Sequence, residues 1–177
     1  GAAIMSGIMI EGGTSLEAAT YGVVTDPDMP GLLLRHGLGF FPWGIVDQHF
    51  IKRGRLGRLI IAMNESGARR GFGIDENTAL FVDGGMGRVI GEFGAFVLDF
   101  KGVKRDKRRN SIDNITFGYA DDGDSIDLAH GRILPGPEKR PVGPRDIAYR
   151  AAARSLRNVF GAYTLYDLLA RLVLGDA

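Results

Sequence analysis

The 177 residues read as an α/β sandwich, in which sheets and helices share one core. Three observations carry that reading. Short runs rich in β-branched and aromatic residues, such as TALFVDG (78–84), have the character of strands. RLGRLIIAMNESG (55–67) has apolar residues at helical spacing. The 27 glycines supply the tight turns that such short elements need.

In chain order, GAAIMSGIMI (1–10) is apolar and EGGTS is a loop. SLEAATYG (15–22) predicts one or two helical turns, with Ser15 as the N-cap. TDPDMPG (25–31) is a loop. LGFFPWGIV (38–46) predicts a buried extended segment. The helix over 55–67 ends at Gly67. GFGID (71–75) and TALFVDG predict strands around a turn at Glu76-Asn77, and RVIGEFGAFVLDF (88–100) predicts two more. KGVKRDKRRN (101–110) is a solvated charge run. DNITFGYADDGDSIDLAHGRIL (113–134) predicts a hairpin turning at DDGD. Asp121, Asp122 and Asp124 lack the spacing and distal glutamate of a calcium loop, so this is a plain turn. PGPEKRPVGP is a linker. Residues 1–144 form one unit, and 145–177 predict two amphipathic helices packed on it.

The bulk numbers exclude several functions. Apolar content of 45% and charged content of 24% are ordinary for a soluble domain. A net charge of +1 gives no basic field, so no nucleic-acid partner is expected. The absence of cysteine excludes disulfides, thiolate metal sites and a cysteine nucleophile. No apolar run approaches the roughly 20 residues of a membrane span. No signal peptide is visible, so a cytoplasmic protein without a membrane partner is expected.

One stretch concentrates polar chemistry. IVDQHFIKRGRLGR (45–58) follows an apolar run and holds Asp47, Gln48, His49, Lys52, Arg53, Arg55 and Arg58. Arg53, Arg55 and Arg58 lie close enough in sequence for two or three to converge on one anion, and arginine holds carboxylates through paired hydrogen bonds. His49 falls at the end of an apolar segment, where α/β folds place ligands. Glu76 lies in a polar turn and is a partner able to orient an imidazole.

These residues resemble a known family. VDQHFIKRGRLGR followed by GFGIDENTAL is similar to the cyanophycinase branch of the S51 serine peptidases, as are GLGFFP upstream and GAAIMS at residues 1–6. The resemblance runs over about residues 1–100. It implies a class I glutamine amidotransferase-like (flavodoxin-like) parallel sheet flanked by helices, here with extra β-hairpins. It also implies a serine nucleophile on a sharp strand-to-helix turn, within Gly-Thr-Ser-Ala-Gly-Ala-Ala. Gly1-Ala2-Ala3 match that pattern from its second glycine, which puts the serine two residues before Gly1. Ser6 then falls in the helix after the turn. Ser15 lacks the Ser-x-Gly pattern of a nucleophile elbow.

Carried over on the same terms, His49 is the catalytic base and Glu76 the acid that orients it. Asp47, Gln48, Arg53, Arg55 and Arg58 match substrate-binding positions. The Gly1 region belongs to the oxyanion site. The implied substrate is a polyaspartate chain bearing arginine on its side-chain carboxyls, cut to β-aspartyl-arginine dipeptides. Asp47 is open to two uses, facing a guanidinium of the substrate or holding the arginines in place. No cofactor or metal is implied. The implied partners are the peptide substrate and a segment or chain carrying the nucleophile; a homo-oligomer is expected besides. The alternatives are a non-catalytic carboxylate-binding remnant and a self-processing peptidase acting on another peptide.

Overall fold

The computed structural model describes residues 1–106 and 111–141. A 3-10 turn, Ala3–Met5, leads into β1 (Ile8–Gly12), α1 (Ser15–Tyr21), β2 (Val23–Val24) and β3 (Leu32–His36). Next come β4 (Ile45–Gln48), α2 (Leu56–Ser66), β5 (Arg70–Ile74), β6 (Thr78–Asp83), β7 (Met86–Gly91) and β8 (Ala95–Asp99). Two short strands, β9 (Lys104–Asp106) and β10 (Ser111–Asp113), pair with each other. β11 (Thr116–Ala120), β12 (Ser125–Asp127) and β13 (Arg132–Leu134) complete the described chain.

The central sheet has the order β11-β8-β5-β4, and a second sheet has the order β13-β12-β7-β6. A small third sheet, β1-β3-β2, lies toward the start of the chain. The result is α/β with mixed sheets and few helices. A mainly parallel sheet is not what the described residues form. Parallel contact is limited to β2 with β3, β4 with β5, and a single bridge between Ser6 and Phe41. The reason is connection length. Apart from the two-residue β2 beside β3, only β4 and β5 pair in parallel as neighbouring strands, and they are joined through a helix long enough to return the chain in the same direction. The links from β6 to β7 and from β12 to β13 are short turns, which can only reverse it.

The central sheet is buried on both faces. On one side Ile45, Phe96 and Leu98 pack with Leu59, Ala62 and Met63 of α2. On the other, Val46, Phe72, Ile74, Ala95 and Val97 pack with Val89 and Ile126 of the second sheet and with Leu128 just after β12. Each fully buried leucine or phenylalanine here contributes about 1.5–3 kcal/mol. β5 explains how α2 comes so close. Its sequence RGFGI places glycine at every second position, on the α2 side. A Cβ on Gly71 would lie 2.6 Å from Met63 Sδ, and one on Gly73 would overlap the Phe50 ring.

α2 begins and ends as its sequence directs at one end only. Gly67 closes it in the left-handed conformation (φ 72°). At its start Arg55 offers no capping side chain. Ser15 does so from α1 instead: its Oγ accepts from Arg58 N at 3.2 Å and donates to Gly54 O at 2.6 Å. α1 is capped by Thr14, not Ser15. Thr14 and Glu17 form a reciprocal capping box, and the glutamate three residues on selects Thr14.

Three further expectations are corrected. The extended segment over 38–46 is regular only from Ile45, because Pro42 lacks an N–H and Gly44 packs against the Arg70 carbonyl. Phe41 is buried, but Phe40 is 70% exposed. The hairpin over 113–134 does not form. β11 pairs with β8 and β12 with β7, so the DDGD turn passes the chain from one sheet to the other. The helix expected to contain Ser6 is only the 3-10 turn, which ends at Met5. The expected helices over 145–177 lie outside the described residues. No helix among the described residues is long and apolar enough to cross a membrane.

Candidate functional site

β4 runs parallel to β5, with Asp47 opposite Gly73 and Gln48 opposite Ile74. The strand stops at His49, whose φ is 50°, a left-handed conformation uncommon outside glycine. The bend is held from three sides. Phe50 N donates to Ile74 O at 3.3 Å, Arg53 N to His49 O at 3.1 Å, and Arg55 N to Phe50 O at 2.9 Å. It drives Phe50 and Ile51 into the core, while the His49 ring keeps 40% of its surface in solvent. The hydrophobic demand of the next two residues thus fixes where the imidazole stands.

The turn between β5 and β6 brings Glu76 to it. His49 Nδ1 lies 3.1 Å from Glu76 Oε1, and Lys52 Nζ lies 2.6 Å from Glu76 Oε2. The Lys52 hydrogen bond holds the Glu76 carboxyl below its ordinary value. Partial burial opposes this, while the charge of Lys52 and the bond and charge of His49 reinforce it. An ionised carboxylate only accepts hydrogen bonds, so Nδ1 is the protonated nitrogen of this contact, and in a neutral imidazole that arrangement puts the lone pair on Nε2.

The arginines do not converge on a common open point. Asp47 is fully buried, and Arg58 closes on it through two bonds, Nε to Oδ2 at 2.7 Å and a second to Oδ1. Arg58 also donates to Gly13 O at 2.8 Å. Arg55 donates to Gln48 O at 2.6 Å and lies 3.7 Å from Asp47 Oδ1. Burial and the neighbouring Arg58 push Arg55 down to about 10, so it stays charged at neutral pH. The Arg53 side chain is exposed and makes no hydrogen bond or ion pair among the described residues.

Gln48 ties this cluster to the start of the sequence. Its Oε1 accepts from Ala3 N at 3.3 Å and Gly1 N at 3.4 Å. The Gly1–Ala3 turn therefore sits beside the residue that precedes His49. The two serines nearby are engaged in backbone bonds. Ser6 is fully buried, donates to Ala3 O and Ile8 O, and accepts from Val46 N. Ser15 is the buried cap of α2. Among the described residues no group of three His, Asp or Glu side chains is placed to share a metal ion.

Comparison with known proteins finds curated relatives of the sequence. The chain is 35% identical over 148 residues to a cyanophycinase from Synechococcus elongatus, covering 76% of this chain and 44% of the relative. A cyanophycinase from Thermosynechococcus vestitus matches to the same extent. One from Trichormus variabilis is 41% identical over 100 residues, covering 56% of this chain and 31% of that protein. The chain is cyanophycinase-like. It spans less than half the length of these curated relatives. No family model matches it.

Three features of this cluster in the cyanophycinase-like chain escape a reading of the sequence. Lys52 counts there only as one more positive charge, although it shares a turn with His49 and meets the same carboxylate. Asp75, buried beside Glu76, accepts from Lys52 N at 3.4 Å. Gly13 contributes only its carbonyl, which leaves no trace in a motif.

Proposed function

We propose that this chain is the part of a serine exopeptidase that carries its general base and substrate-anchoring residues, acting on cyanophycin or related isoaspartyl peptides. The carrying observation is the His49–Glu76 pair at 3.1 Å, standing beside a Gly1–Ala3 turn that Gln48 holds in place. A nucleophilic serine two residues before Gly1 would lie next to the imidazole.

The chemistry follows from the tautomer. His49 Nε2 takes the proton of the serine hydroxyl as it attacks the peptide carbonyl. Glu76 stabilises the imidazolium through Nδ1–H. The proton then passes to the departing amine, and water, deprotonated by the same nitrogen, releases the acid product. Peptide N–H groups of the turn around Gly1 would face the developing oxyanion. Arg53, exposed and unpaired, is the cation best placed to meet a substrate carboxylate. Asp47, Arg58 and Arg55 form the frame beneath it, with Gln48 joining that frame to the turn.

The same reading assigns β4, α2 and β5 to a larger amidotransferase-like parallel sheet. β4 is the end strand of the central sheet, and an apolar groove of about 500 Å³ opens nearby, lined by Ala2, Phe41, Val46, Ile74, Leu80 and Val82. The segment before Gly1 would complete that side.

The test is hydrolysis of cyanophycin, followed by release of β-aspartyl-arginine, using the gene product that includes the segment before Gly1. His49→Ala should lower kcat by roughly 10²–10⁴-fold with the fold unchanged. Near-full turnover in that variant, or equal turnover by residues 1–177 alone, would overturn the reading.

A further inference from the structure

Lys52 lies three residues after His49, in the turn leading to α2, and both side chains reach the β5–β6 turn. His49 Nδ1 meets Glu76 Oε1 at 3.1 Å, and Lys52 Nζ meets Glu76 Oε2 at 2.6 Å. Each oxygen of one carboxylate thus has its own partner. Lys52 also donates its backbone N–H to Asp75 Oδ1 at 3.4 Å. It is tied to both acids of that turn, one through its side chain and one through its backbone.

A carboxylate facing an imidazole alone turns freely about its last bond and presents either oxygen. A charge-assisted bond to Lys52 removes that freedom. Lys52 also changes the electrostatic balance at the ring. Glu76 favours an imidazolium at His49, and Lys52 opposes it. The surrounding charges are Arg53 from the same turn, Arg55 at the start of α2 and Asp75 from the β5–β6 turn. Asp47 of β4 is matched by Arg58 of α2.

We propose that Lys52 is a positioning residue for His49: it fixes which oxygen of Glu76 meets the imidazole and sets a positive charge on the far side of that carboxylate. This rests on the catalytic reading of His49 given above. Lys52 is half exposed, so its substitution removes the ion pair without opening the core.

Two readouts test it. The first is kcat/KM against pH for cyanophycin hydrolysis, using the gene product that includes the segment before Gly1, with Lys52→Met, Lys52→Gln and Lys52→Arg. The second is the titration of the His49 ring by NMR in the 177-residue chain, assigned with His49→Gln. Lys52→Met and Lys52→Gln should shift the acid limb of kcat/KM upward by about half a pH unit or more and lower kcat about three- to tenfold. Lys52→Arg should restore both. The His49 ring should shift upward in the same two variants. An unmoved acid limb and an unmoved ring titration would overturn the proposal. A ring titration that moves in a protein without hydrolytic activity would support the Lys52–Glu76–His49 coupling and remove the peptidase reading instead.

Discussion

Asp47 and Arg58 face each other in a position closed to water, joined by two hydrogen bonds, and a third fastens Arg58 to the carbonyl of Gly13. The pair locks the end of β4 to the first turn of α2 and to the loop before α1. His49 hangs from that junction, two residues after Asp47.

Breaking the pair should unfold the frame before it alters any substrate contact. Removing Arg58 strips the buried Asp47 of both hydrogen bonds of the pair and leaves it, as a cation, only the more distant Arg55, a loss of up to about 3–5 kcal/mol. Arg58→Ala is therefore expected to lower the urea midpoint strongly. Arg53→Ala, at an exposed side chain, should stay within about 0.5 kcal/mol of the parent while weakening substrate binding. Equal stability of the two variants would contradict this division between frame and contact.

Gly73→Ala is expected to act on the site through Phe50. The added methyl would run into the Phe50 ring, which the central sheet and α2 leave no room to move. Overpacking of this kind costs about 1–3 kcal/mol. Because Phe50 follows His49 directly, the imidazole should move too. The check is a lowered melting temperature together with a changed His49 ring resonance.

Ser15→Ala should remove the surrogate cap of α2. A lost cap costs about 0.5–2 kcal/mol, readable in urea unfolding. Serine-directed reagents should label the variant as they label the parent, because Ser15 has a structural hydroxyl. Loss of labelling at unchanged stability would reverse that assignment.

Acid should dissolve the tie at Glu76. Its folded value lies below the usual 4.5, so its contribution to stability is fully present above that pH. It is lost as pH falls through the folded value, where the carboxyl takes up a proton and releases Lys52 and His49. Glu76→Gln should be less stable than the parent at neutral pH, and the gap should narrow below about pH 4.5. Urea titrations at neutral and acid pH check the direction.

The elements governed by local rules were legible in the sequence. α2 follows from its apolar spacing and from Gly67, and β5 and β6 follow from their composition. The sheet partners of β11 and β12 were not legible, because DDGD makes the same local turn whether the next strand returns or changes sheet. At the site, the sequence shows that charges are gathered but not which are spent on each other. Alternation along β4 puts Asp47 on the same inward face as Ile45. A carboxylate on that face needs a buried cation, and α2 supplies Arg58. That depends on burial, which a string of residues does not display. Lys52 was missed for a related reason, since its role arises only when the β5–β6 turn is folded against it.

The central claim is that His49 and Glu76 serve a serine placed just before Gly1. It is tested most directly by labelling the gene product that includes that segment with a fluorophosphonate and mapping the modified peptide by mass spectrometry. The account predicts one adduct, on the serine two residues before Gly1, formed at a rate that drops sharply in His49→Ala. An adduct on Ser6 or Ser15, or labelling indifferent to His49, would contradict it.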